Sequence, residues 1–264
     1  MNGTIIENLQ DSYSRALLMP VIGSGISVPF GLPDWKTLIK SIAERNNLQE
    51  NELLKIKELL DVNEFLEAID AIMDSGVSEE TLQNDVVEIM TAAKKNAGTV
   101  ESNYTDLAKM PRLRFMTTNY DEYLNDILGA RTFLIRDLHS MNVNELALRR
   151  YDNTVIPIHG EISKPDSIIF TKQSYERLYN SDEFEKEFQH IRTHFIFLFM
   201  GFSFDDPYFQ RLFEKVANRF EARHYILFEK GEKIKNAEKI SMLREEYGVS
   251  ALFFDASDTG YTEE

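Results

Sequence analysis

The residues of this chain best suited to chemistry fall in four short segments, each directly after an apolar run. The first is Gly23-Ser24-Gly25-Ile26-Ser27, which continues to Gly31-Leu32-Pro33-Asp34-Trp35. Glycines at such a turn let the backbone approach a phosphate, because no Cβ intervenes and unpaired N–H groups can point outward. Alone, this motif says only that something anionic binds. The second segment is Thr117-Thr118-Asn119-Tyr120-Asp121, the third Ile158-His159-Gly160-Glu161, and the fourth Gly201-Phe202-Ser203-Phe204-Asp205-Asp206-Pro207. Each taken singly has a plainer account. Asn119 and Asp121 suit helix capping, His159 suits a buried turn, and Gly201 and Ser203 suit a strand-to-helix connection.

The elements that must position these segments are strands alternating with helices. Candidate strands are 17–22, 114–118, 131–135, 155–159, 167–170, 195–200, 225–228 and 251–254. Several are unbroken apolar blocks, as expected of strands covered on both faces. A helix is predicted over 207–220, with Asp206 as N-cap, Pro207 at its first position, and Leu212, Phe213, Val216 and Phe220 facing the core. Strands alternating with helices imply a doubly wound, mostly parallel α/β sheet, whose ligands sit beyond the C-terminal strand ends. All four segments fall there. Residues 46–109 differ: they lack proline, and apolar residues recur at helical spacing (Leu53, Ile56, Leu60; Phe65, Ile69, Ile72, Met73; Leu82, Val86, Met90). That pattern predicts a small helical module inserted after the first strand–helix unit.

Composition narrows the function classes. The 264 residues suit one large domain, or one domain with an insertion. No cysteine is present, which excludes disulfides, thiolate nucleophiles and cysteine-ligated metal sites. Acidic residues outnumber basic ones 44 to 29, for a formal charge of −15, so direct binding of a nucleic-acid backbone is not expected. No segment reads as a signal peptide, and the apolar run 195–202 is too short to span a bilayer as a helix. The expected location is cytoplasmic, without membrane attachment.

Together the four segments resemble the sirtuin superfamily, and specifically the sirtuin-like NAD-hydrolase domains of prokaryotic antiphage defence systems. The sirtuin opening Gly-Ala-Gly-x-Ser, followed after three residues by Gly-Ile-Pro-Asp-Phe-Arg, is similar to Gly23-Ser24-Gly25-Ile26-Ser27 and Gly31-Leu32-Pro33-Asp34-Trp35-Lys36 at unchanged spacing. Gln-Asn-x-Asp appears as Thr118-Asn119-Tyr120-Asp121, His-Gly as His159-Gly160, and Gly-Thr-Ser resembles Gly201-Phe202-Ser203. The resemblance implies a Rossmann-like NAD-binding domain over 1–45 plus 110–256, the helical insertion at 46–109 outside it, and a tail at 257–264. It implies that Gly23, Gly25 and Ser27 line the dinucleotide phosphates, with Ser24 beside them in the NAD-binding set, and that Gly201 with Ser203 holds the adenosine half. Asp121 would seat the nicotinamide amide, with Asp34 and Trp35 completing the NAD-binding set and Asn119 and His159 flanking the ribose as catalytic residues. Trp35 either shields that ribose, as the sirtuin loop phenylalanine does, or belongs to the core. Val28 stands where the dehydrogenase fingerprint needs its third glycine, which argues against hydride transfer. The four zinc-ribbon cysteines of deacylating sirtuins are missing, and so is their Phe-Gly-Glu peptide clamp, which is replaced by Phe170-Thr171-Lys172-Gln173.

The implied reaction is hydrolysis of NAD+ to nicotinamide and ADP-ribose. Nicotinamide leaves as a neutral ring, so no leaving-group acid is needed. An asparagine carbonyl can face the developing charge at C1′, and a histidine of near-neutral pKa can accept a proton from a ribose hydroxyl or water. Such an activity needs a trigger, and the resemblance implies control by self-assembly into a homo-oligomer or by a partner in trans, such as a translocase-type ATPase or a short Argonaute protein. Two other readings stand beside it: a catalytically quiet sensor of NAD or ADP-ribose, and a nuclease subunit using Asp205 and Asp206 for metal. His190 and His194 lack a third ligand, Ser24 and Ser203 lie in no nucleophile elbow, and His139 and His224 carry no motif.

Overall fold

A computed structural model describes residues 2–96, 103–110, 114–133, 153–204, 206–214, 224–232 and 236–255. Its centre is a sheet of β1 (Leu18–Ile22), β2 (Arg114–Thr117), β3 (Arg131–Thr132), β4 (Thr154–Pro157), β5 (Ile196–Met200), β6 (His224–Glu229) and β7 (Val249–Phe254). The order across it is β3-β4-β2-β1-β5-β6-β7, and every pairing is parallel. In the sheet β1 is central, β2 lies beside it, β3 forms the edge and β4 fills the place between β2 and β3, while β5, β6 and β7 follow in order on the other side of β1. The winding reverses between β1 and β5, and the C-terminal ends of strands at such a reversal are where doubly wound sheets bind ligands. β1, β2 and β4 are buried along their whole length, so β1 reads as an unbroken apolar run, while β2 and β4 bury Arg114, Thr117 and Thr154 beside their apolar residues.

Around the sheet stand α1 (Asn2–Ser14), α2 (Trp35–Arg45), α3 (Glu50–Asp61), α4 (Phe65–Asp74), α5 (Glu79–Asn96), α6 (Asn103–Ala108), α7 (Tyr123–Leu128), α8 (Lys172–Tyr179), α9 (Asp182–His194), α10 (Pro207–Glu214) and α11 (Ala237–Glu246). α2 begins where Asp34 accepts a hydrogen bond from Thr37 N, so the end of the glycine motif is also the helix cap. The apolar stripe of α3–α5 closes on α2: Ile56, Leu60, Ile69, Ile72, Leu82 and Val86 are buried with Leu38, Ile39 and Ile42. A second, aromatic core of Phe188, Phe197, Phe199, Phe209 and Phe213 joins β5 to α9 and α10.

One expected strand does not form. Residues 165–167 make a 3-10 turn starting at Pro165, and 168–170 follow as irregular backbone. The apolar residues there serve another end: Ile168 and Phe170 plug the core shared by α2–α5. The backbone joins neither sheet edge; Ile169 N donates instead to His159 O, and Ile169 O accepts from Tyr120 Oη. Helix α1 carries no sequence signal that singled it out. Ile135, His139, Asp205, Val216, Phe220 and the 257–264 tail lie outside the described residues.

Candidate functional site

Gly23 ends β1 and Gly201 ends β5, and the two turns pack backbone against backbone. Gly23 N donates to Met200 O and Gly25 N to Gly201 O, both at 2.9 Å. A Cβ on Gly23 would lie 2.4 Å from Gly201 O, and one on Gly201, whose φ is +59°, would lie 2.4 Å from Ile26 N. These glycines are therefore required by the contact of two turns at the winding reversal. The expectation of a cradle of unpaired N–H groups needs correction: Gly23, Gly25, Ile26 and Ser27 all spend their amide protons inside the protein. Ser24 is half-buried, while Gly25 and Ser203 are exposed beside this junction.

Below the turn sits a closed set of polar side chains. Thr117 ties the end of β2 to β1 through a bond from its Oγ1 to Ile22 O, and the same oxygen accepts from Asn119 N. Asn119 then gives both amide protons away, to Gly23 O and to Ser27 Oγ, each at 3.1 Å. Gly23 O can only accept, so the amide orientation is fixed by chemistry, and the end of Asn119 with no partner among the described residues is its carbonyl oxygen. Ser27 is turned inward at 2% exposure and donates to Asp121 Oδ2 at 2.8 Å. Asp121 Oδ1 accepts from Tyr123 N. Burial raises the Asp121 pKa, opposed by its bonds from Ser27 and Tyr123 N, by the charge of Lys94, and by Asn119. The sequence did not point to Tyr104 of α6, whose hydroxyl stands 2.6 Å from Ser27 Oγ.

His159 follows β4, level with Asn119 after the adjacent β2, since Thr117 pairs with Pro157 in register. It is 1% exposed, and both ring nitrogens meet tyrosines of α8: Nε2 lies 2.8 Å from Tyr179 Oη and Nδ1 lies 3.4 Å from Tyr175 Oη. Burial drives its pKa down to about 3, so the expected near-neutral base is a neutral imidazole here. Asp206 Oδ2 lies 3.9 Å from Nε2, and with a neutral ring that contact is no ion pair. Asp206 is itself pushed up to about 6 by burial, which outweighs the two amide bonds it accepts. Those bonds, from Tyr208 N and Phe209 N, make it the N-cap of α10, as its sequence position before Pro207 implied.

Asp34 uses its side chain on the α2 cap, and Trp35 stacks on Phe170 at 5.5 Å with Phe65 and Tyr120 nearby. Trp35 is thus half-buried between the helical core and the sheet. His190 and His194 are exposed on α9, with His194 Nδ1 at 2.7 Å from His190 O. A separate cleft of about 360 Å³ lies beside Gly160, lined by Ile168, Ile169, Arg177 and Phe184 among others; none of Ser27, Asn119, Asp121 or His159 lines it.

The model of the SIR2-like domain family matches residues 113–252, more than half of the chain. The chain belongs to the SIR2-like family. The match contains the Asn119, His159 and Gly201 segments. Relatives from several bacteria carry the name NAD(+) hydrolase ThsA. The protein from Acinetobacter baumannii is 26% identical over 212 residues, covering 79% of this chain and 41% of its own length. The one from Bacillus cereus is 27% identical over 220 residues, covering 80% and 43%. The one from Enterococcus faecium is 22% identical over 265 residues, covering 97% and 50%. The SIR2-like chain thus spans half or less of the length of these relatives. No helix among its described residues is long and apolar enough to cross a membrane.

Proposed function

We propose that this chain hydrolyses NAD+ to nicotinamide and ADP-ribose. The observation that carries the reading is Asn119, held by its nitrogen between Gly23 O and Ser27 Oγ at the end of β2 with its carbonyl oxygen free. That oxygen dipole is suited to face the positive charge that develops at C1′ as the glycosidic bond breaks. The bond's electron pair goes to the nicotinamide ring nitrogen, a water oxygen bonds to C1′, and the water's proton is released. His159, a neutral imidazole, accepts a hydrogen bond from a ribose hydroxyl or from the water. The names of the three relatives support the same substrate. Gly23, Ser24 and Gly25 are proposed to border the diphosphate, Gly201 and Ser203 the adenosine half, and Asp121, Asp34 and Trp35 the nicotinamide side.

Residues 46–109 are proposed as an insertion into an NAD-binding domain of 1–45 plus 110–256, and the physiological role as NAD+ depletion in antiphage defence. Tyr175 and Tyr179 cover His159, so a ribose meets it only after those rings move. That burial is the observation favouring a second reading, a sensor that binds NAD+ or ADP-ribose without turnover. Control by self-assembly or by a partner protein would act by releasing this cover.

The test is nicotinamide release by product chromatography. Asn119→Ala is expected to lower kcat by about 10²–10³-fold, the share a single preorganised dipole contributes, with circular dichroism unchanged. His159→Ala is expected to do likewise. Wild-type rates in both variants would refute the assignment, and binding by calorimetry with no product in the wild type would transfer it to the sensor.

A further inference from the structure

The Ser27 hydroxyl has three neighbours and three hydrogen-bonding capacities, and the count fixes every proton. Asn119 Nδ2 can only donate, so it occupies one lone pair of Ser27 Oγ at 3.1 Å. The Asp121 carboxylate can only accept, so it takes the single Ser27 proton at 2.8 Å. The remaining lone pair faces Tyr104 Oη at 2.6 Å, which makes Tyr104 the donor. Tyr104 is 1% exposed, and its ring is set by Phe30 at 5.7 Å and Tyr123 at 5.7 Å.

We infer that Tyr104 is a positioning residue of this site: its hydroxyl locks Ser27 in the one orientation that leaves the Asn119 amide held by nitrogen and its oxygen free. The use of that geometry rests on the NAD+-hydrolase reading; the geometry itself does not. Without the Tyr104 proton, Ser27 Oγ keeps an unfilled lone pair in a buried place and is free to rotate toward another partner. Asn119 Nδ2 then keeps Gly23 O as its one fixed acceptor among the described residues, and its amide is held less rigidly. The helices between the first strand–helix unit and β2 therefore reach the chemistry, through a side chain on α6 that no sirtuin motif in the sequence contains.

Tyr104→Phe removes only the hydroxyl. It is expected to lower kcat for nicotinamide release at least about tenfold, the scale of one hydrogen bond, with KM for NAD+ changed far less. Because Tyr104 acts through Ser27, the double variant with Ser27→Ala should be no slower than Ser27→Ala alone. A readout independent of turnover is hydrogen exchange of the Asn119 side-chain amide, its resonances identified by their loss in Asn119→Asp. That pair should be protected in the wild type and exchange at least about tenfold faster in Tyr104→Phe. Unchanged Asn119 protection, additive losses in the double variant, or a wild-type kcat in Tyr104→Phe each overturns the inference. If the wild-type chain releases no nicotinamide, the hydrolase reading fails, and amide exchange still decides whether Tyr104 positions Asn119.

Discussion

At the scale of residues, burial has pulled two facing groups in opposite directions. Burial pushes Asp206 from the ordinary 3.8 up to about 6 and His159 from the ordinary 6.5 down to about 3. Asp206 binds its proton more tightly folded than unfolded, so it stabilises the fold in acid, and that contribution is lost as pH rises from about 4 through 6. The cost of holding it ionised is about 3 kcal/mol, from a shift of roughly two units. Asparagine caps a helix as well as aspartate does. Asp206→Asn should therefore gain stability relative to wild type between pH 4 and pH 7.5, by up to about 3 kcal/mol. Urea unfolding at the two pH values measures it, and a constant difference would mean that the buried carboxylate is not strained. The same residue shows what a sequence hides. Its cap was legible from the proline that follows it, whereas its approach to His159 depends on α10 returning beside β4.

At the scale of elements, the junction of the β1 and β5 turns is an unforgiving contact. Gly201→Ala would force a Cβ to 2.4 Å from Ile26 N on a backbone with φ of +59°. Left-handed strain and overlap together predict a loss of roughly 2–5 kcal/mol. Gly129, the C-cap of α7, has a φ of +58° but nothing within 4 Å of its missing Cβ. Gly129→Ala should thus cost only about 1–2 kcal/mol, the backbone share alone. Denaturant midpoints of the two variants separate crowding from conformation, and equal losses would remove the close approach as the reason for Gly201. The glycines were visible in the sequence, but their close approach to a second glycine turn was not. The 167–170 segment shows a similar limit. Its apolar run gives no periodicity to separate a strand from a plug, and only the position of α2–α5 decides that Ile168 and Phe170 fill a helical core.

At the scale of the whole molecule, two histidines are buried on separate strands. His159 lies beyond the C-terminal end of β4, and His224 opens β6, stacked on Phe197 with its Nδ1 accepting from Phe197 N. Burial lowers both to about 3, with the Arg192 charge adding to the effect at His224. A histidine lowered on folding takes up its proton first in the unfolded state, so its share of stability is complete above pH 6.5 and falls steadily toward pH 3. Each contributes a slope of about 1.4 kcal/mol per pH unit across that window. Asp206 opposes them only between about pH 4 and 6 and amounts to one proton against two. Replacing His224 by glutamine should therefore flatten the loss of stability between pH 6 and 4 by about one such share. Unfolding free energies at stepped pH check this, and parallel curves for the two proteins would show that His224 titrates normally.

The sequence by itself determined the alternation of strands and helices, the parallel doubly wound sheet and the placement of four polar segments at strand ends. Those properties follow from local periodicity, caps and turn chemistry, which neighbouring residues encode. The helical stripe of 46–109 was legible for the same reason. Tertiary structure alone decided which groups meet. It set Tyr104 against Ser27 across seventy-seven residues, closed Tyr175 and Tyr179 over His159, and fixed the Asn119 amide by its nitrogen. A hydroxyl's partner and an imidazole's pKa depend on burial and on distances of a few ångströms between segments far apart in the chain, and no spacing along a sequence encodes those.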